Sequence, residues 1–138
     1  MSAEFTIELQ PSLADLQRVD QAVSEFAGRM GWGEEALFHI RLVLEELIMN
    51  VISHGSRPEQ PARIVVHLRQ EGRDLTMEIS DTGIAFDPLQ QPPPDLDAAI
   101  EDRAIGGLGV HLIRTMMDSV RYRRDGEWNR VSLSKALT

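Results

Sequence analysis

The chain has 138 residues, 42% of them apolar and 26% charged, with a net charge of −8, the profile of one globular domain long enough to bury a core without staples. It contains no cysteine, which excludes disulfides, iron–sulfur clusters and thiolate zinc sites. The acidic balance argues against nucleic-acid binding, which runs on phosphate neutralisation.

The N-terminal MSAEFTIELQ lacks a basic segment followed by an apolar one, so no secretory signal is expected. No run approaches the ~20 apolar residues that span a bilayer, so no membrane association is expected and a cytoplasmic location is the default. His39, His54, His67 and His111 do not cluster at zinc spacings. Arg121, Arg123, Arg124 and Arg130 form a small basic patch that reads as a solvated strand face.

Glu4 to Gln10 alternates Phe5, Ile7 and Leu9 against Thr6, Glu8 and Gln10, the period of a half-buried strand. Ser12 is an N-cap for the helix that follows, with Asp15 completing a capping box. Leu13, Leu16, Val19, Phe26 and Met30 keep helical spacing to about Gly31. After the Gly31-Trp32-Gly33 break, a second helix starts at Glu34 or Glu35 and ends at His54-Gly55, where glycine supplies a left-handed cap. Ile64, Val66 and Leu68 share one face of a strand. Leu75, Met77 and Ile79 do the same beyond Gln70-Glu71-Gly72-Arg73, predicting a hairpin.

The second of these strands runs into DTGIAFDP at 81–88. Residues 88–105 hold four prolines and four acids with few large apolar side chains, the composition of a mobile loop with at most a short helix from Asp95 to Glu101. Gly106-Gly107-Leu108-Gly109 opens a third helix that ends near Asp118. Strands around Val120–Tyr122 and Trp128–Leu133 flank Asp125-Gly126, a hairpin dipeptide. Helices and strands fall in segregated runs, predicting a two-layer α+β sandwich with a mixed, mostly antiparallel sheet.

Three stretches carry candidate chemistry. In LVLEELIMNVISHG (42–55), Glu46, Asn50 and His54 make one stripe, each step advancing about 40° along a helix apolar on both flanks. A carboxylate and a carboxamide buried there need partners. One reading supplies an ordinary salt bridge and backbone. The other supplies Mg²⁺, phosphates and water: Asn50 offers an amide oxygen to a hard cation that keeps several waters, and Glu46 orients or deprotonates a nucleophile. In DTGIAFDP, Asp81 at a strand end can accept from an exocyclic amine, and Gly83 allows close approach to the backbone, although D-x-G is also an everyday turn. GGLG at 106–109 presents free amides and a positive helix end to phosphate, or simply bends a loop.

Together, in this order, these stretches resemble the Bergerat-fold ATP-binding domain of the GHKL superfamily, which includes gyrase, histidine kinases and MutL. Glu46–Asn50 looks like its N box, DTGIAFDP its first glycine box, 88–105 its ATP lid and GGLG its second glycine box, so the likeness covers residues 1–138 as a single domain. EExxxNVxxHG, DxGxxFDP, GGLGVHLIRTMMDSVRYRR and NRVSLSKAL most resemble the RsbW-type anti-sigma-factor serine/threonine kinases. The resemblance implies ATP and Mg²⁺ as ligands, with Asn50 on the metal and Glu46 as the catalytic base or water-orienter. It implies Asp81 on the adenine amine, Gly83 behind the ring, and Phe86 among the nucleotide-binding residues. Gly106, Gly107, Leu108, Gly109 and Val110 would lie at the phosphates. Asn129, counted among the nucleotide-binding residues, stands where the superfamily often has a threonine supporting the adenine-binding aspartate, and Ala85 replaces a common glycine or proline. His54 is expected to be structural.

The implied activity is phosphorylation of a serine or threonine on a STAS-type anti-sigma-factor antagonist, with sequestration of a sigma factor and a homodimer as further implications. Two other readings stand beside it: a nucleotide-binding protein-interaction module without kinase activity, and the detached ATPase domain of a histidine kinase.

Overall fold

The computed structural model describes residues 2–90 and 107–137. Among these residues, five strands form one sheet in the order β1-β2-β3-β5-β4, and three α-helices cover one of its faces. The strands are β1 (Ser2–Leu9), β2 (Ile64–Glu71), β3 (Asp74–Asp81), β4 (Ser119–Asp125) and β5 (Trp128–Ala136). The helices are α1 (Leu13–Met30), α2 (Glu34–Asn50) and α3 (Gly107–Met116). Every strand pair is antiparallel, where a mixed sheet was expected. The chain carries β4 to the far edge, and its hairpin returns β5 between β3 and β4, so β5 runs against both.

The two-residue period decides which face is covered. Ile64, Val66 and Leu68, then Leu75, Met77 and Ile79, then Val131 and Leu133 are buried, while their neighbours along each strand face outward. Against them pack Val19 and Val23 of α1, Ile40, Val43, Leu44, Leu47 and Ile48 of α2, and Ile113 of α3, while Phe26 of α1 is buried beside Phe5 and Trp32. α2 is the central helix, in contact with both α1 and α3. Burial on this scale, at roughly 25 cal/mol per Å² of apolar surface, is what holds the layers together.

Local signals set the boundaries. Ser12 caps α1 by accepting from Asp15 N at 3.2 Å, while Asp15 reaches back to accept from Gln10 N at 2.6 Å. That bond draws Gln10 out of β1, which ends at Leu9. The left-handed glycine cap expected at Gly55 belongs instead to Gly31, at φ 74°. Trp32 N donates to Ala27 O at 2.9 Å, closing a Schellman turn. Gly72 and Gly126 supply positive φ in two-residue loops between paired Glu71/Asp74 and Asp125/Trp128. Asp125 therefore closes the ladder, and the second loop is Gly126-Glu127 rather than Asp125-Gly126.

Beyond Asn50 the helix does not stop but widens into one π-turn, Val51–Gly55. Ser56 N donates to Val51 O at 2.9 Å across five residues. Such turns are frequent at functional sites. Here it brings the Gly55 carbonyl to the loop after β3, where Ile84 N donates to it at 3.1 Å. Of the expected lid, residues 88–90 form a single 3₁₀ turn with Pro88 buried. Residues 91–105, including the short helix expected at Asp95–Glu101, lie outside the described residues, as does Gly106.

Candidate nucleotide site

A cavity opens between α2, the end of β3, β5 and the loop 82–88, with about 380 Å³ of atom-free space, part of it open to solvent. Its walls are apolar, from Leu47, Val51, Ile79, Ile84 and Val131, and its polar groups are Asn50, Asp81 and Asn129. Phe86 also lines it. Four of the residues picked from the sequence thus meet at one place, although 79 positions separate Asn50 from Asn129.

Asp81 is the last residue of β3 and sits opposite Asn129 in register. Its Oδ1 accepts from Gly83 N at 2.9 Å and from Asn129 Nδ2 at 3.0 Å. Burial pushes the Asp81 carboxyl above the usual carboxylate range, opposed by these two hydrogen bonds and by the Arg124 guanidinium. Asn129, only 3% exposed, also donates to Ile84 O at 2.9 Å. Its own oxygen accepts from Tyr122 Oη at 2.6 Å and from Phe86 N at 3.3 Å. Arg124 Nη1 donates to Gly83 O at 3.0 Å. On the opposite side, Thr82 and Arg63 exchange two bonds: Thr82 N to Arg63 O at 3.1 Å, and Arg63 N to Thr82 Oγ1 at 2.8 Å. The loop is fastened from both neighbouring strands.

Gly83 does not line the cavity. A Cβ there would lie 2.5 Å from Gly55 O and 2.9 Å from Asp81 Oδ1, so the protein itself demands glycine, through the contact with the π-turn. This packing role stands beside the expectation that Gly83 backs a ligand ring.

On α2, Asn50 is buried and lines the cavity, while Glu46, one turn earlier, is half-buried and does not. Glu46 Oε1 and Asn50 Nδ2 are both buried without a hydrogen-bond partner among the described residues. The salt bridge of the plainer reading is absent there. Burial alone pushes the Glu46 carboxyl upward. Buried polar atoms are nearly always satisfied, so a carboxylate and a carboxamide left open one helical turn apart fit a polar ligand such as phosphate, water or a hydrated ion. Among the described residues no three acidic or histidine side chains converge. An ion at Asn50 would therefore take most of its ligands from phosphates and water, the habit of Mg²⁺.

His54 completes the stripe but is exposed, with its ring 5.7 Å from that of Phe86, outside the polar centre. Gly107, Leu108, Gly109 and Val110 form the first turn of α3, the glycine-opened helix start read from the sequence. The pattern did not single out Tyr122 or Arg124. Both reach the site from β4, an edge strand whose alternation says only which way they point.

The fold has counterparts among known proteins. The histidine kinase-like ATPase domain family matches residues 9–135, and the chain belongs to that family. The serine/threonine-protein kinase BtrW of Bordetella bronchiseptica is 32% identical over 129 residues, covering 94% of this chain and 91% of that protein. The serine-protein kinase RsbW of Listeria monocytogenes is 30% identical over 131 residues, covering 91% and 82%. The RsbU and RsbW domains of Rv1364c from Mycobacterium tuberculosis superpose with a TM-score of 0.69 at 14% identity, over 98% of this chain and 32% of that one. A histidine kinase domain from Erythrobacter litoralis superposes at 0.54 and 20% identity, over 90% and 60%. Within the family, then, the chain is an ATP-using protein serine/threonine kinase of the RsbW type.

Proposed function

We propose that this kinase transfers the γ-phosphoryl group of Mg-ATP to a serine or threonine of a STAS-type anti-sigma-factor antagonist, and that it sequesters a sigma factor until the antagonist displaces it. The observation that carries the nucleotide part is the meeting of Asn50 and Asp81 on one cavity. The protein substrate and the sigma factor are supported by the likeness to RsbW and BtrW kinases across most of the chain. The 138 residues would act as one ATPase unit, as a monomer or a homodimer. Among the described residues no helix is long and apolar enough to cross a membrane.

Each residue then has a distinct task. Asp81, through Oδ2, accepts the amine of adenine, while the apolar walls hold the ring. Asn50 holds Mg²⁺ through its amide oxygen, and the ion supplies charge neutralisation at the phosphates. The amides at the α3 start, from Gly107 to Val110, would hold the phosphates. Glu46 takes the proton of the attacking hydroxyl as the new Oγ–P bond forms and the bond from the γ-phosphorus to the bridging oxygen breaks, releasing ADP. A buried carboxyl with a raised pKa is a better proton acceptor near neutral pH than an exposed one.

Incubating the purified protein with γ-labelled ATP, magnesium and candidate STAS proteins tests this directly. Acid-stable label on a serine or threonine of the antagonist is expected. Acid-labile label on histidine would favour a detached histidine kinase domain, and nucleotide binding without transfer to any candidate would favour a non-catalytic module.

A further inference from the structure

We infer that Asn129 does not touch the nucleotide, and that Tyr122 and Asn129 are a positioning relay that aims a single carboxylate oxygen, Asp81 Oδ2, at the base. A carboxamide has two N–H donors and two acceptor sites on its oxygen. In Asn129 the donors go to Asp81 Oδ1 at 3.0 Å and Ile84 O at 2.9 Å. The acceptor sites take Tyr122 Oη at 2.6 Å and Phe86 N at 3.3 Å. Nothing is left for a nucleotide or for a water bound beside it.

The orientation of the amide follows from its neighbours. Turned by 180°, it would set its oxygen against the Asp81 carboxylate and the Ile84 carbonyl, and its N–H against the Phe86 N–H. Oxygen and nitrogen positions in such groups are decided by the surrounding network, and Tyr122, by donating its only hydroxyl proton, adds to the preference.

Asp81 Oδ1 is consequently saturated by Gly83 N and Asn129 Nδ2, while among the described residues nothing donates to Oδ2. Base recognition therefore concentrates on one acceptor oxygen. It favours a base with an exocyclic amine at that point and repels one with a carbonyl there. A threonine at 129 would keep hydroxyl capacity for a water; Asn129 gives that up and fastens the loop 83–86 instead. Tyr122, outside the cavity, becomes a residue on which base selectivity depends.

This inference rests on Asp81 being the base acceptor, and the test separates the two. Dissociation constants for ATP and ITP would be measured on the full chain by displacement of a fluorescent ATP analogue, for the wild type, Tyr122→Phe and Asn129→Ser, with thermal melts of each. The wild type is expected to prefer ATP by about tenfold, and Tyr122→Phe to lower that ratio by about two- to tenfold, the span of one hydrogen bond. Asn129→Ser should lower it at least as far. A change in melting temperature with an unchanged ATP-to-ITP ratio in both variants would overturn the relay and leave Asp81 in place. Equal affinities in the wild type would overturn the assignment of Asp81 and the relay with it.

Discussion

Gly83→Ala puts the coupling between the two halves of the site to a quantitative test. The added Cβ would lie 2.5 Å from Gly55 O, and 2.9 Å from both Gly55 C and Asp81 Oδ1, where ordinary contact begins at 3.4 Å. None of these atoms is the free end of a flexible side chain. The Gly55 carbonyl is the acceptor for Ile84 N, and Asp81 Oδ1 is held by two donors. The backbone at Gly83 is not in the left-handed region, so the cost is steric rather than conformational, about 1–3 kcal/mol for overpacking. For a chain of this size that lowers the melting temperature by about 3–12 °C, and ATP affinity should fall with it because Asp81 moves. Gly55→Ala is the control. Its Cβ would meet Val51 Cγ1 at 3.7 Å and Asp81 Oδ1 at 3.9 Å, ordinary contacts, and alanine is favoured over glycine in a helical turn by roughly 0.5–1 kcal/mol. Thermal melts and ATP titrations of the two variants decide it. If Gly83→Ala melts with the wild type, or Gly55→Ala falls as far, the proposed packing of the loop on the π-turn is wrong.

Glu46→Gln should abolish most phosphoryl transfer while stabilising the fold. Burial raises the Glu46 carboxyl, so its folded pKa lies above the unfolded value; stability is intact below the ordinary carboxylate range and is lost as pH rises through the raised pKa. The variant should therefore melt above the wild type at pH 8, with a difference that closes toward pH 4; a constant difference would contradict it. Asp81→Asn should weaken ATP binding by about tenfold and flatten the ATP-to-ITP ratio, whereas unchanged binding by calorimetry would remove Asp81 from base recognition. Asn50→Ala should lose Mg-ATP turnover yet melt within a few degrees of the wild type. Asn129→Ala, which strands partners on three sides, should cost about 2–4 kcal/mol of stability. Equal melting temperatures for these two alanine variants would refute the distinction between them.

Helices and strands were legible because burial is written in local periodicity. Ile64-Val66-Leu68 and Leu75-Met77-Ile79 needed only their own spacing to be placed, and Ser12 with Asp15 marked the start of α1. The identity of the candidate polar residues was legible too, since Asn50 stands on a helix apolar on both flanks and Asp81 ends a strand just before Gly83. What could not be read locally was pairing. The register that sets Asp81 opposite Asn129, and the bond that ties Arg124 to Gly83, join residues 48 and 41 positions apart. Gly55 was misread for a related reason. A glycine after a helix usually marks a left-handed cap, but here the bond between Ile84 N and Gly55 O, from a distant loop, accompanies a π-turn instead.

Two asparagines line the same cavity and divide its labour by the state of their hydrogen bonds. Asn129 has spent every donor and acceptor within the protein, so a ligand gains nothing from it directly. Asn50 keeps a buried amide nitrogen unpaired, and Glu46 a buried carboxylate oxygen. Each such group costs the fold roughly 1–3 kcal/mol. Nothing in the packing of α2 requires that cost, because Leu44, Leu47 and Ile48 already fill the core beside them. A helix that keeps Asn50 under-satisfied on the cavity wall, with a second open polar group one turn before it and the facing wall locked by a saturated network, has the asymmetry the proposed function calls for: rigid at Asp81, and open where phosphate and ion would complete the set.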